Sequence, residues 1–458
     1  MTQQQANMAL LMGILALLSL IPATVALRRA RAFGDWDLTS TMILLVGVAA
    51  NLPTVVYVIR AGRPERLDPL GEAVIGFPQW VNQIGTVTNG ILLAGCVAFV
   101  LHRLFSVGAR INVVPLIACA LVLLLAFSDG LHGQELFAPR QLALLTALLA
   151  AAVARPGRSA FLGGAAVVLL STVLGGIEAL IEPASVLREC RPDNPCGLLG
   201  VLYAGVFTNE NIFSLLLIAG IPFVWLGLRG RVRILLACYV AFVAVATGSR
   251  LADITAVAVV AFMMLLRPRL PDEAADGAAR GSLGRVLFGV PVLGTAAAIG
   301  LALPLRHPNA DSLEDRAAIW NMARDELHRS PLLGFGGKAW PAKYHAGEIP
   351  AAVSPSLHNQ WIDVLYAGGF VGLVLFLLLL LCLLLRGGFA GFPVTASVLL
   401  PVLLASVLER PWSFSISNSL TFALTAVLVP TAVRRAAAPG VLASGSSPAA
   451  VLAHTPRR

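Results

Sequence analysis

Charged residues are scarce in this sequence. Of its 458 residues, 12% are Asp, Glu, Lys or Arg and 57% belong to the set AVILMFWYC, whereas a soluble globular chain carries about 25% charged residues. This composition excludes a soluble enzyme, a fibrous protein and a disordered chain. Lysine is almost missing, because Lys338 and Lys343 are the only lysines among the 33 basic residues. Positive charge is therefore carried almost entirely by arginine.

Sequence motifs for metals and nucleotides are missing as well. The chain contains no HExxH, no CxxC pair, no EF-hand spacing, and no Walker or Rossmann glycine pattern. We therefore expect no metal and no cofactor. The net charge of +9 does not predict a nucleic-acid partner, since basic residues in membrane proteins collect beside the cytoplasmic ends of helices.

Long apolar runs are what the sequence does have. A bilayer crossing needs about 20 apolar residues, and the runs predict an all-α polytopic membrane protein of about 12–13 transmembrane helices. The spans 141–154 and 234–248 are short for a bilayer, and Gly248-Ser249-Arg250 predicts a tight helical hairpin. The predicted spans are 8–27, 40–59, 84–102, 112–127, 141–154, 160–181, 209–228, 234–248, 251–266, 286–304, 361–385, 393–408 and 417–433.

The arginines predict the orientation of these helices. The cluster at 229–233 and the arginine-flanked segment 267–285 are typical of cytoplasmic loops. With the C-terminal tail on the same side, the chain divides into four parts. These are ten transmembrane helices with short loops over 1–304, a large extracytoplasmic loop with a short helix over 305–360, C-terminal transmembrane helices over 361–433, and a disordered cytoplasmic tail over 434–458.

Two of the six cysteines lie together in a polar loop. Cys190 and Cys196 enclose Arg-Pro-Asp-Asn-Pro, whose prolines and Asp-Asn pair favour a tight turn. In the predicted orientation this loop faces an oxidising compartment, where disulfides persist. We predict a disulfide between them with a structural role, pinning the loop before the next crossing.

The loop 305–360 carries the candidate chemistry. Ser312-Leu-Glu-Asp315 is typical of a capping box, which would open a helix through Arg316 and Trp320, and a glycine-rich turn follows at 333–337. His358 stands at the first turn of the span 361–385, where the helix dipole disfavours the imidazolium and leaves a ring able to accept a proton. The arginines on this side can grip phosphate oxygens bidentately. Alternatively, a lone histidine there is an interfacial cap, and the arginines are solvated or contact membrane lipids.

Five motifs in order resemble the O-antigen ligase/polymerase superfamily. The similarity covers about 205–372, and residues 1–200 match in hydropathy alone. The motifs are Gly205-Val-Phe-Thr-Asn-Glu-Asn211, Gly248-Ser-Arg-Leu-Ala252, Asp315-Arg-Ala-Ala-Ile-Trp320, Pro331-Leu-Leu-Gly-Phe-Gly336, and the run from His358-Asn-Gln-Trp to Gly372.

The resemblance implies a GT-C-type fold in the bacterial cytoplasmic membrane, with the active site on the extracytoplasmic side. The donor would be a polyprenyl-pyrophosphate-linked glycan and the acceptor a hydroxyl on a glycan, lipid or protein. The transfer would be metal-independent and inverting. By the same resemblance, Arg250 and Arg316 would bind the pyrophosphate, and His358 would activate the acceptor hydroxyl. Asn211 and Asn359 would orient these groups.

The sequence also departs from the family pattern. Leu202 and Glu210 stand where many relatives have a basic residue, so one phosphate contact is unaccounted for. Arg188 or Arg191, tethered by the predicted disulfide, could supply it. For Arg250 the alternative role is a snorkelling lipid contact, and for the arginine of the short helix it is stacking on the tryptophan one turn later.

Other function classes stay open at this stage. The sequence does not separate a ligase from a polymerase, which differ in their acceptor. A polysaccharide or lipid-carrier transporter, or a flippase without transferase activity, is a second class; it would place charged residues near the bilayer midplane. A binding or scaffold role for the long loop is a third.

Overall fold

The computed structural model describes residues 2–62, 77–106, 110–188, 190, 196–270, 273, 282–306, 316–349 and 356–431. Within these ranges 75% of the residues are α-helical, and strands are almost absent. The predicted capping box at 312–315, Arg191 and the predicted tail over 434–458 lie outside the described residues.

Twelve described helices contain fifteen residues or more, and nine of these are long and apolar enough to cross a membrane. The protein is therefore an all-α polytopic membrane protein, as predicted. The twelve are α1 (Gln3–Ala32), α2 (Leu38–Ala61), α3 (Gln79–Leu104), α4 (Val113–Leu131), α5 (Pro139–Val153), α6 (Ser159–Ile181), α8 (Glu210–Gly227), α9 (Val232–Ala246), α10 (Arg250–Leu266), α11 (Ser282–Leu305), α14 (Gln360–Leu385) and α15 (Gly388–Ala405).

Short elements fill the connections. They are α7 (Pro183–Val186), α12 (Arg316–Leu327), α13 (Ala339–His345), α16 (Thr421–Leu428), and the antiparallel strands β1 (Leu187–Arg188) and β2 (Leu202–Tyr203). The prediction of a helix through Arg316 and Trp320 is confirmed by α12, which buries Trp320 and Leu327.

Polar side chains begin several of the membrane helices. Asp37, Asn112, Asn209 and Asn359 each accept hydrogen bonds from first-turn amides of the helix that follows. These caps satisfy backbone donors that have no partner within the helix. The two short predicted spans are present as α5 and α9. The hairpin is confirmed, since α9 ends at Ala246 and α10 begins at Arg250.

The predicted span 417–433 is wrong. Its helix, α16, has eight residues and is about 12 Å long, which is too short for a bilayer. Turns and bends occupy 406–420 instead, where buried serines alternate with large apolar residues. Irregular backbone at membrane depth is tolerated when protein surrounds it, and the buried side chains of Trp412 and Phe414 anchor this stretch in the bundle.

The helices place two groups of residues at opposite ends of the bundle. Phe262 near the end of α10 contacts Phe288 near the start of α11, with ring centroids 5.9 Å apart, and Gly289 packs against Phe392 near the start of α15. The other ends of these three helices therefore lie together. Asn359, before α14, reaches the carbonyl of Gly300 in α11 at 3.0 Å. We call this the site end: α10 and α14 begin there, and α11 and α15 end there.

The opposite end carries arginines that the sequence predicts to be cytoplasmic. Arg229 binds Asp35 at 2.6 Å, and Arg158 and Arg233 bind Glu273 at 2.9 and 2.7 Å. The side chain of Arg158 is 3% exposed. These pairs lock the ends of several helices together.

Candidate functional site

Asn359 fixes the start of α14. Its Oδ1 accepts hydrogen bonds from the amides of Trp361 and Ile362 at 2.9 and 3.0 Å, and its Nδ2 donates to the carbonyls of Gly300 and Val407 at 3.0 and 2.9 Å. The side chain is completely buried. The amide thus ties three parts of the chain together and holds the backbone next to His358.

His358 lies just before this cap and not in the first helical turn, where the sequence places it. Its φ is +45°, a left-handed conformation that a residue with a β-carbon adopts at a cost of about 1–2 kcal/mol. Such a conformation persists when surrounding contacts impose it, and it is common at functional sites. The cap at Asn359 and the contacts of the imidazole are those restraints here.

One carboxylate connects His358 to Arg316. Glu409 Oε2 lies 3.0 Å from His358 Nδ1, and Glu409 Oε1 lies 3.3 Å from a terminal nitrogen of Arg316. The three side chains are 12–21% exposed, so the cluster is half-buried and still reachable. The structure therefore brings two of the predicted site residues together through a third that the sequence did not single out.

This contact determines which ring nitrogen can act as a base. A carboxylate only accepts hydrogen bonds, so in the neutral ring the proton resides on Nδ1 and is donated to Glu409. The lone pair then lies on Nε2 of His358. A histidine held in this tautomer by a carboxylate is the arrangement used for general-base catalysis.

Further contacts hold α12 against this site. Arg316 also donates to the carbonyl of Leu408, and Trp320 Nε1 donates to the carbonyl of Leu357 at 2.7 Å. One turn of α12 is thereby fastened to the residues that immediately precede Glu409 and His358. The guanidinium is fixed before any substrate arrives.

The glycine-rich turn is inserted between α4 and α14. The amides of Phe335 and Gly336 donate to the carbonyls of Tyr366 and Ala367, each at 2.9 Å. Those carbonyls are available because α14 kinks at Gly369, whose φ is +60°. The turn thus hydrogen-bonds directly to the helix that begins beside His358.

Glycine is required at the tightest point of this turn. Gly336 has a φ of +91°, and a β-carbon there would lie 2.2 Å from Oδ1 of Asp129 in α4. The same Oδ1 accepts the amide of Lys338 at 2.9 Å, and Asp129 is completely buried. Only a residue without a side chain allows the backbone to come this close.

Arg250 is the first residue of α10, and its side chain is exposed. Gly248, with a φ of +74°, makes the turn before it and packs against Gly197. Because α10 and α15 run in opposite directions, Arg250 lies at the site end, the same end as Glu409. Arg250 therefore lies at the same end of the bundle as the cluster of His358, Arg316 and Glu409. His358 and Arg316 are in addition linked by direct contacts with Glu409.

The accessory residues lie beside the neighbouring helix α8. Arg188 binds Glu210 at 2.9 Å, and the carboxylate is 4% exposed. Asn209, not Asn211, caps α8, and Asn211 is half-buried one residue into the helix. Arg188 is therefore already engaged by an acidic partner.

Cys190 and Cys196 are joined as a disulfide with Cα atoms 5.1 Å apart. The bridge closes the loop between β1 and β2. Gly197, which packs on the turn before α10, follows it directly. The bridge therefore restrains the loop beside that turn.

Sequence reasoning missed Glu409, as well as a second pair that follows it, Arg410 with Asp363 at 2.9 Å. A signal for both was present. Two adjacent charged residues end the apolar run 393–408, and charges at such positions in membrane proteins are usually functional.

Comparison with known proteins agrees with these observations. A family model described as O-antigen ligase matches residues 201–377, a range that contains Arg250, Arg316 and His358; Glu409 lies beyond it. No curated protein matches the chain. Residues 201–377 of this polytopic membrane protein are thus similar to the O-antigen ligase family, which supports the resemblance to the O-antigen ligase/polymerase superfamily and, in general terms, a role as a membrane glycan ligase or polymerase.

Proposed function

We propose that the protein is a glycosyltransferase that moves a glycan from polyprenyl pyrophosphate to a hydroxyl acceptor. It acts at the extracytoplasmic face of the bacterial cytoplasmic membrane, on a GT-C-type helical scaffold. The observation that carries this proposal is the Glu409 bridge, because it holds a proton-accepting histidine beside a phosphate-binding guanidinium.

His358 acts as the general base that activates the acceptor hydroxyl. Nε2 takes the proton from the acceptor hydroxyl as the oxygen attacks the anomeric carbon of the donor glycan. The imidazolium that forms is stabilised by Glu409, which is already hydrogen-bonded to Nδ1. Attack occurs on the face opposite the departing group, so the anomeric configuration inverts.

The arginines stabilise the leaving group. The bond from the anomeric carbon to the pyrophosphate oxygen breaks, and the leaving polyprenyl pyrophosphate gains negative charge. Arg316 and Arg250 stabilise that charge, since guanidiniums fixed in advance favour the transition state over the ground state. The scheme uses no metal and no cofactor, because these cations take the place of a Lewis acid.

Purified protein in nanodiscs, given a defined polyprenyl-pyrophosphate glycan and a hydroxyl acceptor, tests the proposal. We expect one polyprenyl pyrophosphate released for each glycan transferred, an inverted linkage by NMR, and turnover that survives EDTA. Turnover that stops with EDTA and returns with a divalent cation would overturn the metal-free scheme. In proteoliposomes, movement of intact donor across the bilayer without transfer would instead support the transporter class.

Two variants test the anion site. Arg250→Ala and Arg316→Ala are expected to lower the transfer rate by at least 10²-fold, a typical effect of losing one such charge-stabilising group. Arg324→Ala is the matched control because Arg324 shares α12 but binds Asn321 at 3.0 Å. Wild-type rates in either site variant would refute the assignment.

A further inference from the structure

We propose that Arg410 is a third phosphate-contacting arginine, held by Asp363 until the donor binds. The inference rests on the proposed function, since it concerns the same donor site. Arg410 directly follows Glu409, the carboxylate that joins Arg316 to His358. It therefore extends the cluster by one residue.

The partner of Arg410 places it against the helix start used by His358. Asp363 Oδ1 lies 2.9 Å from a terminal nitrogen of Arg410. Asp363 belongs to the first turn of α14, and its amide donates to the carbonyl of Asn359 at 3.1 Å. The guanidinium of Arg410 thus lies beside the first turn of the helix that His358 precedes.

The Arg410–Asp363 pair is as accessible as the rest of the cluster. Its side chains are 22% and 17% exposed, similar to the 21% of His358 and the 17% of Arg316. When Arg410 turns to a phosphate, the positive end of α14 still stabilises the carboxylate of Asp363.

The charges of the site call for one more cation. Glu409 offsets the charge of Arg316, so Arg250 alone faces the two negative charges of a glycan-linked pyrophosphate, and Arg410 adds a second cation there once it leaves Asp363. Arg188 is bound to Glu210, whose carboxylate is 4% exposed, whereas the carboxylate that binds Arg410 is 17% exposed. Arg410 offers a planar fork directly beside Glu409, which suits bidentate binding of phosphate.

A binding measurement separates this role from catalysis. The probe is polyprenyl pyrophosphate without glycan, titrated against the full chain in nanodiscs, with polyprenyl monophosphate as the second ligand. Arg410→Gln is expected to weaken pyrophosphate binding by roughly tenfold or more, the effect of losing a charge-assisted hydrogen bond, and to weaken monophosphate binding less. Lys338→Gln removes one positive charge at the same end and is expected to leave both affinities unchanged.

Asp363→Asn distinguishes a phosphate contact from a structural ion pair. Releasing Arg410 should keep pyrophosphate binding at the wild-type level or tighten it. Equal losses in Asp363→Asn and Arg410→Gln, or no loss in Arg410→Gln, would overturn the proposal. Arg410→Lys, which can keep the ion pair but loses the fork, should bind pyrophosphate severalfold more weakly at unchanged thermal stability.

The two proposals can fail independently. If His358→Ala still transfers glycan while Arg410→Gln loses pyrophosphate affinity, the reaction scheme fails and the third arginine stands. If His358→Ala is inactive while Arg410→Gln binds pyrophosphate normally, the third arginine fails and the reaction scheme stands.

Discussion

Glu409 divides its carboxylate between two partners. One oxygen accepts a hydrogen bond from Nδ1 of His358, and the other binds Arg316. The proposed base and the proposed anion-binding group are thus positioned by one side chain. Changing that side chain should affect proton transfer and leaving-group stabilisation together.

For this single residue we predict that Glu409→Gln lowers kcat for transfer by about 10²–10⁴-fold, the range attributed to a positioned acid–base group. An amide can donate to Nδ1, so it no longer holds the lone pair on Nε2, and it carries no charge for Arg316. Kinetics in nanodiscs, with membrane abundance as the control, measure the effect. Glu409→Asp, which keeps the carboxylate, should recover part of the rate; equal activity in the wild type and the Gln variant would contradict the role.

The elements that carry the site are held by backbone contacts. The turn over 331–337 bonds to the kinked part of α14, and Asp129 of α4 binds the amide that follows it. This geometry requires glycine at positions 334 and 336. A β-carbon at Gly334 would collide with the backbone of α14, and one at Gly336 would collide with the backbone of α4. The turn therefore couples the segment between α11 and α14 to the membrane helices.

At the scale of elements we predict that Gly336→Ala lowers the apparent melting temperature in detergent more than Gly347→Ala does. Both glycines have positive φ, +91° and +74°, but a β-carbon at Gly347 meets nothing within 4 Å. The control thus carries the conformational cost of about 1–2 kcal/mol without the collision with Asp129. Equal melting temperatures for the two variants would show that the turn does not pack as described.

At the scale of the whole molecule, charged clusters occupy the two ends of the bundle. The pairs of Arg158, Arg229 and Arg233 lie at one end, and the His358 cluster lies at the other. The positive-inside bias predicts that the first of these ends is cytoplasmic. Under our proposal the site then faces outward, together with the disulfide.

We predict that this orientation can be read by thiol labelling of intact cells. Ala346→Cys lies in an exposed part of the outer loop, and Ala32→Cys lies at the exposed end of α1. A membrane-impermeant maleimide should label the first variant in intact cells and the second after permeabilisation. The wild type is the background control, and the reverse pattern would place the site in the cytoplasm.

Local patterns were sufficient to predict most helices. Apolar runs with polar residues at their ends gave α5 and α9 despite their shortness, and the Gly248 turn gave the hairpin. The run 417–433 misled because hydropathy does not register Pro430, which disfavours a helical conformation at Val429 and is consistent with the end of α16 at Leu428.

The candidate site, too, contains residues that local sequence motifs predict and residues that only the folded chain reveals. Arg250, Arg316 and His358 were identified because each lies in a short motif of the family. Glu409 meets Arg316 and His358 across 93 and 51 residues of sequence, and Arg410 meets Asp363 across 47. Such pairs arise from the folding of the whole bundle, so a reading of local sequence could mark these residues as unusual but not name their partners.

The central claim, that His358 is the base for glycan transfer, is tested most directly by the turnover of His358→Ala with a defined polyprenyl-pyrophosphate glycan in nanodiscs. His345→Ala is the matched control, because His345 is an exposed histidine of the same loop. We predict that transfer by His358→Ala falls at least 10²-fold while His345→Ala keeps the wild-type rate and both variants fold normally. Transfer by His358→Ala at the wild-type rate would contradict the account.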